Sequence, residues 1–286
     1  MSKLTKQQAA LHTQACVLLQ KDCLSFDERL FVLTHWQEGA NHVNGMSGAF
    51  FTPQDLATDF AIEVSGHKVI DLCAGIGSLA FAVYHHSCMS SAARPQITCV
   101  EVNPDYVAVG KKVLPEATWI VADVLDLPAS LTGYHVAIAN PPFGRIKHHS
   151  KAPRYTGSEF EYKVIDVASD RAAHGVILLP QSSSPFRLSG VRAFEETTIP
   201  KYERFAEQTA IQLEPNCGLD TSVHNGDWRG VSIVTEIVLA DFQEARLRRE
   251  PPDEEVRTND SHPAHPWQEP SAWIQAQLFA AAPEPS

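Results

Sequence analysis

The sequence predicts an α/β protein in which a doubly wound, mostly parallel sheet follows an N-terminal helical cap, and three observations carry that prediction. Short apolar runs rich in β-branched residues recur between residues 68 and 180, most of them separated by stretches of helical periodicity. The first run ends in a glycine-bearing turn, Asp71-Leu72-Cys73-Ala74-Gly75-Ile76-Gly77-Ser78, that leads into a helical pattern. Four successive runs end in an acid or an amide, at Asp71, Glu101, Asp123 and Asn140, and ligands of open parallel sheets bind at the carboxyl ends of the strands.

Taken in order, residues 1–47 read as a two-helix cap. Thr5 with Gln8, and Ser25 with Glu28, have the spacing of capping boxes, and Leu30, Phe31, Leu33 and Thr34 continue a face behind the second. Thr52 as N-cap and Pro53 at the first helical position start another helix, with Leu56, Phe60 and Ala61 facing inward. A strand at 68–73 then enters the glycine turn, and a helix at 78–86 follows. A second strand, 97–102, places Glu101 at its tip, where a carboxylate accepts hydrogen bonds from both hydroxyls of a ribose. A helix at 104–113 leads to strands at 117–123 and 134–139. A helix at 158–170 and a fifth strand at 174–180 follow, and residues 210–213 and 231–239 supply a sixth and a seventh strand. The α/β domain is placed at 48–242. From residue 243 the chain is polar and holds seven of the nineteen prolines, so 243–286 reads as a disordered, acidic tail. Residues 271–279, with Trp273 and Phe279, are an amphipathic exception.

The landmarks together resemble the S-adenosylmethionine-dependent amino-methyltransferases of the N6-adenine DNA type. Asn140-Pro141-Pro142-Phe143 matches the catalytic signature of that family, and Gly48-Ala49-Phe50-Phe51-Thr52-Pro53 is similar to the Phe-Thr-Pro segment that precedes its glycine loop. The order of motifs is similar to the gamma arrangement, and the resemblance covers residues 46–241. It implies a seven-stranded Rossmann-like methyltransferase sheet whose last strand is antiparallel, with S-adenosyl-L-methionine as cofactor. The cofactor set so implied is Phe51, Thr52, Pro53, Asp71, Cys73, Gly75, Gly77, Glu101, Asp123, Val124 and Asn140, with Phe51, Thr52 and Pro53 at the methionine end and Asp123 meeting the adenine amine. The catalytic set is Asn140, Pro141, Pro142 and Phe143.

The chemistry accounts for the residue types. An exocyclic amine on an aromatic base is a poor nucleophile because its lone pair is delocalised into the ring. Accepting hydrogen bonds from its N–H groups makes the nitrogen more tetrahedral. Asn140 offers a side-chain carbonyl and Pro141 a backbone carbonyl, two prolines stiffen the turn, and Phe143 offers a stacking face for a flipped base. In-line displacement from a sulfonium needs neither a metal nor a covalent intermediate.

Charge bears on the partner. The net charge of −11 is awkward for an enzyme of nucleic acid, whose phosphates are held by Lys and Arg. Residues 144–155, directly after the catalytic motif, nevertheless carry Arg145, Lys147, Lys151 and Arg154 and no acid, a basic run suited to a substrate strand. DNA is the expected partner. RNA adenine, a protein glutamine, and a non-catalytic cofactor-binding subunit of a methylation complex stand as alternatives. Little room remains for a target-recognition module, so sequence choice is expected to be loose, or imposed by a protein partner docking on the N-terminal helices or on residues 271–279. The six cysteines and thirteen histidines lack metal-ligand spacing, so no metal is expected. The absence of a long apolar stretch and of a signal-like N-terminus predicts a cytoplasmic, membrane-free protein.

Overall fold

The structure is a computed structural model that describes residues 5–37, 50–86, 93–144, 146, 150–229 and 233–250. Its centre is a seven-stranded sheet in the order β3-β2-β1-β4-β5-β9-β8. The strands are β1 (Lys68–Asp71), β2 (Gln96–Glu101), β3 (Thr118–Val121), β4 (Tyr134–Ala139), β5 (Ala172–Pro180), β8 (Glu214–Pro215) and β9 (Thr235–Asp241). The first five pair in parallel, and β9 runs antiparallel to both β5 and β8. The sheet is therefore α/β, Rossmann-like and mostly parallel, as the sequence predicts. The strand order reverses between β1 and β4, so a crevice opens beyond their carboxyl ends.

Among the described residues eight α-helices surround the sheet: α1 (Lys6–Leu18), α2 (Phe26–His35), α3 (Gln54–Ile62), α4 (Ser78–His86), α5 (Pro104–Val113), α6 (Phe160–Ala168), α7 (Pro200–Thr209) and α8 (Phe242–Arg249). Both capping boxes of the N-terminal helices form, with the Thr5 and Ser25 hydroxyls accepting from the Gln8 and Glu28 amides. Alternate residues of the strands (Ile70, Ala137, Ile177 and Val238) join Phe160, Ile165, Phe205 and Phe242 of α6, α7 and α8 in one core cluster. A two-stranded hairpin, β6 (Phe186–Arg187) with β7 (Glu195–Glu196), follows β5.

Four expectations change. Thr52 does not cap α3: Pro53 is the N-cap, without a side-chain bond, and the Thr52 hydroxyl turns to Asn140 instead. Residues 210–213 are not a strand. α7 fills 200–209, Ala210 ends it in the left-handed conformation (φ 56°), and the Ile211 and Leu213 amides donate to the Thr209 and Tyr202 hydroxyls rather than to a ladder. The last strand starts at Thr235, four residues later than expected, and residues 230–232 lie outside the described ones.

The domain boundary at 243 also moves, because α8 occupies 242–249. The Asp241 side chain accepts from the Glu244 amide, Phe242 is buried, and Arg246 donates to the Ser169 and Ala172 carbonyls. A polar sequence thus hides a helix whose last-turn arginines bond carbonyls of the body of the protein. The expected tail from 251 on, including Trp273 and Phe279, lies outside the described residues, as do 1–4 and 38–47 of the expected cap and Gly48 and Ala49 of the segment before Phe50. No helix among the described residues is long and apolar enough to cross a membrane.

Candidate functional site

A pocket of about 260 Å³ opens at the carboxyl ends of β1, β2 and β4. Of the residues singled out from the sequence, Phe51, Thr52, Asp71, Cys73 and Gly75 line it, together with Glu101, Asp123, Val124, Asn140 and Pro142. Parallel pairing makes this convergence: Asp71 sits beside Cys99 and Ile138 in register, so the ends of neighbouring strands lie side by side.

Acids line the floor. Asp71 is fully buried, and neither carboxylate oxygen has a partner in hydrogen-bonding geometry. Burial pushes its pKa up to about 8; the Cys73 and Ala80 amides, which approach without reaching bonding geometry, pull it down in part, and the like charge of Glu101 adds to the rise. Glu101 accepts from the Gly75 amide at 2.9 Å and from the Asn103 amide at 2.8 Å. Its pKa is raised by burial, against these backbone bonds. Asp123 accepts from the Leu125 amide at 2.9 Å. A buried, unpartnered carboxylate beside a second acid fits a cationic ligand and opposes a pyrophosphate.

The two glycines of the turn do different work. Gly75 adopts φ 56°, and a Cβ there would come within 3.1 Å of the Phe51 ring, so the loop and the segment before α3 close against each other. Gly77, expected among the cofactor residues, does not line the pocket. Its φ of 97° and the Trp119 indole, 3.1 Å from a Cβ built there, give it a structural role. Pro53 likewise lies outside the pocket, at the start of α3.

Asn140 follows β4, and its side chain reaches back across the chain. Nδ2 donates to the Phe50 carbonyl and to the Thr52 hydroxyl, both at 2.9 Å. Pro142 lines the pocket, whereas Pro141 is buried and Phe143 half-buried, and neither of these two lines it. The turn after Phe143 is fastened to α6: the Gly144 amide donates to Glu161 Oε2 at 2.8 Å and its carbonyl accepts from the Phe160 amide at 2.9 Å. Glu161 is itself buried and also accepts from the Ser183 hydroxyl, to which Lys201 donates.

The basic run is smaller than expected. Arg145 and Lys147 lie outside the described residues, and Lys151 is exposed. Arg154 departs from the expectation: its guanidinium pairs with the buried Asp166 at 2.9 Å and with Asp170 at 2.6 Å, so donors read as phosphate contacts are spent inside the protein. Among the described residues no group of three His, Cys, Asp or Glu side chains converges as a metal site.

Several lining residues escape the sequence reading. Phe50, Tyr106, Ile146 and Phe160 form apolar walls, and Asn103 and Ser78 add polar groups. Tyr106 stands one turn into α5 after Glu101, a spacing that could have flagged it. Phe160 has no local signal, since it is the Gly144 contacts that tie the α6 start to the turn after Asn140.

No protein-family model and no curated protein matches the sequence. Solved structures do resemble it. A Listeria monocytogenes protein assigned to the class I S-adenosylmethionine-dependent methyltransferases aligns with a TM-score of 0.53 at 13% identity, over 83% of this chain and 75% of that one. A modification subunit assigned to a type I restriction enzyme of Vibrio vulnificus aligns with 0.51 at 14% identity, over 76% and 50%. The methyltransferase subunit of a type I restriction-modification system from Streptococcus thermophilus aligns with 0.50 at 15% identity, over 76% and 48%. The chain thus spans about half the length of the two type I subunits. The protein therefore has the Rossmann-like α/β fold that it shares with these three structures.

Proposed function

We propose that the protein is an S-adenosyl-L-methionine-dependent methyltransferase that modifies the exocyclic N6 amine of adenine in DNA. The observation that carries this reading is the Asn140 amide just after β4, whose NH2 is tied to Phe50 and Thr52 so that Oδ1 is left to accept from an incoming amine beside a pocket lined by acids. The likeness to a class I methyltransferase, to a type I methyltransferase subunit and to a modification subunit of a type I restriction enzyme supports the same chemistry and a nucleic-acid substrate.

In this reading Glu101 accepts from the ribose hydroxyls with the lone pairs that its two backbone bonds leave free, and Asp71 compensates positive charge. The cofactor supplies an electrophilic methyl group on a sulfonium. Asn140 Oδ1 draws on an N–H of the acceptor, localising the nitrogen lone pair, and the rigid Asn140-Pro141-Pro142 turn keeps that acceptor in place without reorganisation. Phe160, Ile146 and Pro142 supply apolar walls on which a flat ring packs.

The test is transfer of labelled methyl to duplex DNA, structured RNA and protein in parallel. Label is expected at adenine N6 of the DNA. Asn140→Ala is expected to lower turnover by about a hundredfold while leaving cofactor affinity within about threefold. Label on RNA or on a protein glutamine would move the substrate, and tight cofactor binding with no transfer to any acceptor would make the chain a binding subunit.

A further inference from the structure

We propose that Thr52 is a positioning residue for the catalytic amide: its hydroxyl accepts from Asn140 Nδ2 and anchors the amide whose flip the Phe50 carbonyl sets, so that Oδ1 stays turned toward the acceptor amine. This rests on the methyl-transfer reading above. An asparagine side chain has two orientations of nearly equal shape, and only the one presenting oxygen can accept from an amine. The Phe50 carbonyl can only accept, so the atom 2.9 Å from it must be the NH2 nitrogen. The reversed amide would set Oδ1 against that carbonyl and leave it unbonded, whereas the Thr52 hydroxyl, which donates as well as accepts, meets either orientation; the carbonyl therefore sets the flip and the hydroxyl fixes the amide in place. Each lost neutral hydrogen bond biases such an equilibrium by roughly a factor of 2 to 12.

Thr52 is suited to the task. It is 6% exposed, so water does not compete for its oxygen, and the backbone on either side is seated: the Phe51 ring rests on the glycine turn at Gly75, and α3 begins immediately after Pro53. Phe50, Phe51 and Thr52 line the same pocket as Asp71 and Glu101. The segment therefore touches the ligand side of the pocket and the acceptor side together, bridging residues separated by 88 and 90 positions in sequence. Thr52 thus serves the reaction through Asn140.

Thr52→Val keeps the bulk and removes the oxygen, and Thr52→Ser keeps the oxygen. With the full-length protein, single-turnover transfer of labelled methyl to duplex DNA is measured alongside calorimetric binding of S-adenosylhomocysteine. Thr52→Val should slow transfer about tenfold, the upper part of the range for one hydrogen bond, with affinity within about threefold, and Ser should restore most of the rate. In an Asn140→Ala background Thr52→Val should add nothing. The Asn140 Nδ2 protons, identified by their loss in Asn140→Ala, should move upfield in the Val variant. A parallel tenfold loss of affinity, the same slowing in the Asn140→Ala background, or unmoved Nδ2 resonances would overturn the assignment. A wild type that methylates no acceptor would refute the methyl-transfer reading, and the resonance comparison would still decide whether Thr52 holds the amide.

Discussion

Trp36 stands edge-on to Tyr106, with ring centroids 5.7 Å apart and planes at 88°. Tyr106 lines the pocket, and Trp36 also meets the Phe51 ring at 5.8 Å, so the residue that caps α2 backs the pocket wall from behind. Arg229 bonds the carbonyls of Leu33, Thr34 and Trp36, holding the end of α2 in place. Trp36→Ala should cost about 3–5 kcal/mol of stability, the usual cost of truncating a buried aromatic, and should weaken cofactor binding as well. Urea unfolding and calorimetry measure the two effects. Unchanged affinity would show that the N-terminal helices do not support the pocket.

Asp71 makes stability depend on pH in a definite direction. Its carboxyl is raised from 3.8 to about 8 in the folded protein, so between those values the folded state holds a proton that the unfolded state releases. That contribution is fully present below about pH 4 and is lost as pH rises toward about 8. Compared by thermal unfolding without ligand, wild type should lose stability relative to Asp71→Asn across this window. A difference that stays constant with pH would show Asp71 ionised throughout. Binding of a cation should release the proton, visible as a buffer-dependent binding enthalpy that Asp71→Asn abolishes.

Glu161 ties the turn after Phe143 to α6 through the Gly144 amide and to the Ser183 hydroxyl, while itself buried. Glu161→Ala leaves both donors without their acceptor and should cost on the order of 1–3 kcal/mol of stability. Turnover should fall with cofactor affinity unchanged. A loss confined to affinity would place Glu161 on the ligand side instead.

Arg154 should behave as a folding residue. Its ion pair with the fully buried Asp166 predicts that Arg154→Ala lowers stability by on the order of 1–3 kcal/mol and leaves the salt dependence of DNA binding intact. Removing the charges of Arg145, Lys147 and Lys151 together should instead flatten the log–log salt slope by about 0.9 per lost duplex contact. The reverse pattern would restore Arg154 to the substrate surface, and an unchanged slope in both variants would turn the substrate away from nucleic acid.

The amino-acid sequence by itself determined the elements whose signals are local. The capping boxes at Thr5 and Ser25, the β-branched runs that become β1, β2 and β4, and the Asn103-Pro104 start of α5 each depend on residues within a few positions of one another. Period-2 and period-3.6 patterning register that information directly. The placement of Asp71, Glu101, Asp123 and Asn140 around one pocket followed as well, because parallel pairing sets successive strand ends together.

Tertiary structure alone decided which partner each polar group takes. Thr52 has the local chemistry of a helix cap, yet its oxygen serves Asn140, 88 positions away. Gly77 sits in the glycine turn expected to hold the cofactor, yet it accommodates Trp119 from β3. Arg154 lies in a basic run, yet Asp166 and Asp170 of the α6 region hold it. The apolar alternation of residues 210–213 suits a strand, yet the hydroxyls of Thr209 and Tyr202 take its amides. In each case the local pattern states which bonds a residue can make, and the sheet topology, by bringing distant segments within 3 Å or so of one another, selects the bond that forms.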